Sequence, residues 1–259
     1  MKKILCFVIL AITIGCQRVP EESCMAVEFL QGDENIIFSD SQSADESIVS
    51  ISFWAYFDTA DAGTIRTIFH QYKSDNSASS FYIGHTSAGI HVILRDADTP
   101  TNPKLSISDG GWIGGWKHVY IVPMWDANYS KVYIDGIEAG YTTNEADAIT
   151  RETELGGDIS IGGPRSGSGY SIDGKLQDVR IYNRILSASE IAELYNSRCQ
   201  RVVMDGLVFW APMDGAAGLS SFDGATLSSA NTIIDRISGV QGIPSGSPIG
   251  RGNTIQRIY

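Results

Sequence analysis

Two carboxylates one residue apart on a strand project to the same face, near the separation of about 5 to 5.5 Å that a retaining glycosidase needs between acid and nucleophile. Glu152-Thr-Glu154 and Asp96-Ala-Asp98 have that spacing. Neither completes a Glu-x-Asp-x-Glu pattern, since the first runs on to Gly156 and the second to Pro100. Both read as solvated loop. His-Glu-x-x-His, Gly-x-Ser-x-Gly, a Walker loop and Cys-x-x-Cys are all missing. The imidazoles are His70, His85, His91 and His118, too few to suggest a catalytic constellation. Sugar binding asks for other chemistry: aromatic faces to stack on the ring and polar groups to read its hydroxyls. Trp112, in Ser108-Asp-Gly-Gly-Trp-Ile-Gly-Gly115, and Trp125, beside Asp126, are the loop aromatics available. His70, Tyr82, His91 and Arg95 fall off the core phase of their strands and are expected to share one face. Each loop tryptophan has a second reading, a rim residue packed under its own loop, because most Trp is largely buried.

The elements that would hold these residues are short and strand-like. Val49 to Phe57 alternates, with Ile51, Phe53, Ala55 and Phe57 on one face and Trp54 and Tyr56 on the other. Thr64 to Tyr72, Ser80 to His85 and Gly89 to Arg95 carry the candidate His, Tyr and Arg side chains. Trp116 to Val122 precedes a hairpin of Lys131 to Ile134 and Ile137 to Tyr141 about Asp135-Gly136, a two-residue turn signal. Lys175 to Tyr182 reads as a strand with Val179 and Ile181 on one face. A helix follows over Ala188 to Asn196, its start marked by the capping-box spacing of Ser187 and Glu190. No other segment shows a helical period. The expected class is all-β, two antiparallel sheets face to face, with that one short helix after the last strand.

Four strings appear in a recognisable order: Ser50-Ile-Ser-Phe-Trp-Ala-Tyr56, Gly115-Trp-Lys-His-Val119, Lys131-Val-Tyr-Ile-Asp-Gly136 and Gly174-Lys-Leu-Gln-Asp-Val-Arg-Ile-Tyr-Asn-Arg-Ile-Leu-Ser187. Together they resemble the laminin-G-like, concanavalin A-like jelly-roll family across roughly residues 26 to 197. The resemblance implies a jelly roll and, for His118, a hydrogen-bonding place at the core edge. It also implies a loop-edge Ca²⁺ held by carboxylates, for which Asp178, Asp214 and Asp235 are the candidates; Gln177 stands where the family more often has Asp. Acidic turn residues are the other reading of Asp214 and Asp235. Gly206-Leu-Val-Phe-Trp-Ala-Pro-Met-Asp-Gly215 resembles the family's opening strand, which is missing before Ala26. Residues 201–259 are too few for a second sandwich, so the expectation is a permuted strand that closes the same jelly roll, residues 26–259. A remnant module, or a strand donated to a neighbouring molecule, are the rival readings. Cys24 before the first strand and Cys199 after the helix lie at chain ends that a jelly roll brings near each other, and so are expected as a disulfide; two free thiols are the alternative.

The full chain has 259 residues and a formal net charge of -11, which argues against nucleic-acid phosphates and anionic lipid heads as partners. Lys2-Lys3 and the apolar Ile4 to Ile14 read as a signal peptide over residues 1–15, too short to span a bilayer. Gly15-Cys16 looks like a lipobox, with Cys16 lipidated and residues 16–25 as tether; cleavage as an ordinary secretory signal is the alternative. The expected product is exported, anchored to a membrane only through its lipid, and non-catalytic. A glycan ligand comes first, by resemblance. A protein-binding or adhesion module, and then a glycoside hydrolase of the same fold, are the alternatives.

Overall fold

The computed structural model describes residues 25–39, 48–60, 63–73, 79–95, 104–108, 110–150, 155–165, 169–214, 225–228 and 232–251. Among these the chain forms two eight-stranded sheets and one helix. The first sheet runs β10 (Ile137–Glu138), β9 (Lys131–Ile134), β8 (Lys117–Val122), β3 (Ser50–Phe57), β13 (Gly174–Tyr182), β1 (Ala26–Phe29), β16 (Ile249–Arg251), and β14 (Leu207–Ala211) also pairs with β13. The second runs β11 (Tyr141–Asn144), β7 (Lys104–Ser108), β6 (Gly89–Leu94), β5 (Ser79–Thr86), β4 (Arg66–Lys73), β12 (Leu155–Ile161), β2 (Asn35–Phe38), β15 (Ile243–Ser245). The all-β sandwich expected from the sequence is the fold.

Alternation explains the core. Ile51, Phe53, Ala55 and Phe57 of β3 point between the sheets and meet Phe69, Phe81, Ile83, Val92, Leu94, Ile159 and Ile161 from the second. Each large buried side chain contributes roughly 1.5 to 3 kcal/mol. The outer face of the first sheet is not polar, as one exposed face of an antiparallel sheet would be. Tyr120, Tyr182, Leu207 and Trp210 are buried there under α1 (Ala188–Asn196), whose Ile191 and Leu194 complete a second apolar cluster. The capping box is present: the Ser187 hydroxyl accepts from the Glu190 backbone N–H, and the Glu190 carboxylate accepts from that of Ser187 at 2.8 Å.

The hairpin turn is also as expected, with Asp135 at φ 53° and Gly136 at 81°. Its second strand is shorter than the sequence suggests. β10 ends at Glu138, the chain crosses at Ala139 and Gly140, and Tyr141 opens β11 on the other sheet against Ser108.

One edge of β13 is shared end to end. β1 pairs with Gly174 to Leu176, and β14 takes Val179 to Tyr182. Between them the strand bulges: Gln177 faces Trp54 while Arg180 faces Ser52, and Asp178 has φ 53°. The C-terminal segment therefore fills the half-edge that β1 leaves, beside the strand where the resemblance put it. It goes further, since β16 pairs with β1 in the first sheet and β15 with β2 in the second. Phe209 points inward and meets Phe38 edge-on at 5.0 Å. Phe209→Ala should therefore cost about 3 to 5 kcal/mol of stability, read as a lowered midpoint in urea denaturation. An unchanged midpoint would show the C-terminal segment to be an accessory.

Candidate functional site

A cleft of about 720 Å³ opens on the outer face of the first sheet. Its floor follows from register: Tyr120 of β8 and Tyr133 of β9 are cross-strand partners on one face, with ring centroids 5.6 Å apart. Tyr141 reaches in from β11, its hydroxyl accepting from the Val132 backbone N–H at 2.8 Å. The chain crossing after β10 is what brings this third tyrosine in. Tyr129 and Ile185 line the cleft and are 51% and 55% exposed, so part of its apolar surface faces solvent.

Several contacts hold this shape. The Tyr120 hydroxyl accepts from the Leu186 backbone N–H at 2.7 Å, fixing the segment before α1. The buried ammonium of Lys104 donates to the carbonyls of Asp126 and Asn128, fixing the loop that presents Tyr129. Tyr133 donates to Glu138 Oε2 at 3.2 Å, and Lys131 lies 3.8 Å from the same carboxylate. Burial, and then the Glu138 charge, push the Tyr133 phenol up to about 12, so it stays a neutral donor. Burial also raises Tyr120 and Tyr141. The arrangement offers aromatic surface, amides and hydroxyls, and one ion pair. None of these tyrosines stands out in the sequence, although Tyr120 and Tyr133 sit on the non-core phase of their strands.

The expected ligand residues lie elsewhere. Trp112 and Trp125 are not open platforms. Trp112 packs on Phe57 at 5.0 Å and His85 at 5.4 Å, closing one end of the core with its Nε1 buried and unpartnered. Trp125 meets Phe81 edge-on at 6.2 Å. Both are partly buried and packed against the core cluster. His70, Tyr82 and Arg95 do come together on the outer face of the second sheet: His70 and Tyr82 are register partners 5.2 Å apart, and Arg95 lies 6.0 Å over the Tyr82 ring. Both ring nitrogens of His70 are buried and unpartnered. His91 shares the face, but its Nε2 is taken by the Thr86 hydroxyl at 2.8 Å.

The convergence expected of Asp178, Asp214 and Asp235 is not found. Asp178 accepts from Arg180 Nε at 2.9 Å and Trp210 Nε1 at 2.8 Å. Asp235 accepts from the backbone N–H groups of Trp210, Ile237 and Ser238, closing a turn. Both Asp214 carboxylate oxygens accept from Arg236 Nη2, at 2.8 and 2.9 Å. No cluster of three or more metal-ligating side chains occurs among the described residues. Cys199 is disulfide-bonded; Cys24, like Cys16, lies outside the described residues, as do both Glu152-Thr-Glu154 and Asp96-Ala-Asp98.

Burial dominates the histidines. His70 and His118 are pushed down to about 3 and His85 to about 4, with Arg95, Arg180 and His91 as the respective secondary causes. His118 holds the core-edge place expected of it, its Nε2 bonded to Ser52 Oγ at 2.9 Å. A folded pKa below the unfolded value of about 6.5 means that only the unfolded chain takes up the proton as pH falls. Stability is thus intact above about pH 6.5 and drains away toward pH 4, by up to about 1.4 kcal/mol per pH unit for each of these histidines. Urea midpoints measured between pH 7 and pH 5 should fall steeply; a flat profile would contradict the burial of these rings.

The model of the concanavalin A-like lectin/glucanases superfamily matches residues 30–192. No curated protein matches the chain. Among solved structures, a putative carbohydrate binding protein from Bacteroides ovatus superposes with a TM-score of 0.57 at 13% identity, over 90% of this chain and 61% of that one. This chain thus accounts for less than two thirds of the Bacteroides protein. A heptameric SAP-like pentraxin from Limulus polyphemus gives a TM-score of 0.51 at 15% identity, over 69% of this chain and 83% of that one. At such identities the likeness is one of fold.

Proposed function

Because the chain belongs to the concanavalin A-like lectin/glucanases superfamily, we propose that it is a non-catalytic carbohydrate-binding module holding its ligand in the tyrosine-lined cleft. The observation that carries this reading is the cleft itself: Tyr129, Tyr133 and Tyr141, over the buried Tyr120, beside Asn128, Asn144, Lys131 and Glu138. Phenol rings give flat apolar area to sugar C–H faces, and amides match hydroxyls. Among the described residues Glu138 is the one carboxylate in the lining, whereas glycoside hydrolysis in most families needs two acids flanking the bond. The name of the Bacteroides ovatus relative points the same way.

The proposal extends to where the module acts. Lys2-Lys3, the apolar Ile4 to Ile14 and Gly15-Cys16 support export with a lipid on Cys16. An oxidising compartment suits the Cys199 disulfide, with Cys24 as the proposed partner.

A glycan array probed with the full chain tests the reading. Tyr129→Ala, at an exposed position, should weaken any detected binding by about tenfold, equivalent to about 1.4 kcal/mol. Arg95→Ala, on the outer face of the other sheet, should leave it unchanged. The reverse pattern would move the ligand to the face of His70, Tyr82 and Arg95.

A further inference from the structure

The charges in the cleft are few and already matched. Among the described residues, Lys131 and Glu138 supply the only ammonium and the only carboxylate in its lining, and they face each other at 3.8 Å with side chains 47% and 44% exposed. Glu138 also holds the Tyr133 hydroxyl. The other polar groups that can meet a ligand are uncharged. Asn144 accepts from Ser106 Oγ at 2.6 Å through its own Oδ1, which leaves its Nδ2 hydrogens directed elsewhere. The Asn128 main chain is held at both ends, its carbonyl by Lys104 and its N–H by Asp126 Oδ1 at 2.9 Å, while the side-chain amide is uncommitted. The Tyr129 hydroxyl is likewise uncommitted and exposed.

An anionic ligand would meet two obstacles. Its charge would have to draw Lys131 away from Glu138, and Glu138 would then stand within a few ångströms of it as a like charge, which disfavours a wrong partner more than a new contact rewards it. The chain as a whole, at a net charge of -11, repels polyanions before they arrive. A saccharide bearing only hydroxyls meets neither, since a hydroxyl can donate to Glu138 and accept from Lys131 without breaking their pair.

We infer that the cleft selects neutral saccharides and rejects those carrying carboxylate, sulfate or phosphate groups. This rests on the glycan-binding reading and specifies its ligand class. Lys131 and Glu138 are the selectivity pair: each reads hydroxyls, and Glu138 cancels the cation that an acidic sugar would need.

Calorimetric titration of the full chain with neutral cello-, xylo- and galacto-oligosaccharides, and with oligogalacturonates and a sulfated oligosaccharide, tests the inference. A neutral oligosaccharide should bind with an affinity that changes by less than about twofold between low and high salt, since no net ionic contact is screened. The acidic ones should not bind. Glu138→Gln keeps the shape and the Tyr133 contact but frees Lys131, and should shift the acidic-to-neutral preference by roughly tenfold toward the acidic sugars. Both positions are half-exposed, and an unchanged melting temperature verifies that the variant folds. Acidic oligosaccharides that bind the natural chain and are lost in Lys131→Met overturn the selectivity and leave glycan binding standing. A Glu138→Gln preference equal to that of the natural chain also overturns it. Failure of every saccharide of both classes to bind overturns the glycan reading itself.

Discussion

Arg180 is fully buried on the outer face of the first sheet, and what surrounds it organises that whole side of the molecule. A buried guanidinium is tolerated only where its N–H groups and charge are matched. Here Nε pairs with Asp178 at 2.9 Å, Nη1 donates to the Val202 carbonyl at 2.7 Å, Nη2 donates to that of Gln200, and the Trp210 ring lies 4.9 Å from the cation. Asp178 in turn accepts from the Trp210 indole and, at 3.3 Å, from the Cys199 backbone. One ion pair thus ties β13 to β14 and to the segment after α1. Asp178 and Arg180 are two residues apart on one strand, so their side chains share a face. Removing one member would leave the other buried and uncompensated, at about 3 to 5 kcal/mol.

The cleft inherits its shape from this knot. With the 199–202 segment and α1 held down, Ile191, Leu194, Leu186, Tyr182 and Tyr120 close into one apolar cluster. Tyr120 and Leu186 belong both to that cluster and to the cleft lining. A second cation contact supports the same C-terminal end of the helix, where Arg198 lies 4.6 Å over Trp54 and 4.1 Å over Trp116, and Tyr195 stacks on Trp54. The outer face of the first sheet is therefore divided. One part is sealed by the helix, and the part over β8 and β9 is left open with tyrosines as its surface.

What could be read from the sequence was local in origin. The alternation of Ile51 to Phe57, the Asp135-Gly136 turn and the Ser187–Glu190 cap each depend on residues within a few positions of one another, and each is present. The place of Leu207 to Ala211 beside β13 was also legible, because an opening-strand string without a partner had one edge to fill. The cleft was not. Tyr120, Tyr133, Tyr141 and Ile185 are distant in the chain, and only strand register and the crossing of residues 139–140 between sheets bring them together. The surroundings of Trp112 and Trp125 are non-local for the same reason: Phe57, His85 and Phe81, on which they pack, come from other strands. The hydrogen-bond partners of Asp178, Asp214 and Asp235, which include Arg180, Arg236 and backbone donors, follow from the fold and not from family position.

The account stands or falls on where a saccharide contacts the protein. Chemical-shift mapping of the isotopically labelled chain during titration with a saccharide it binds gives the answer directly. The account predicts perturbations centred on Tyr120, Tyr129, Lys131, Tyr133 and Glu138, with His70, Tyr82 and Arg95 unmoved. Perturbations confined to the outer face of the second sheet, around His70 and Tyr82, would contradict it.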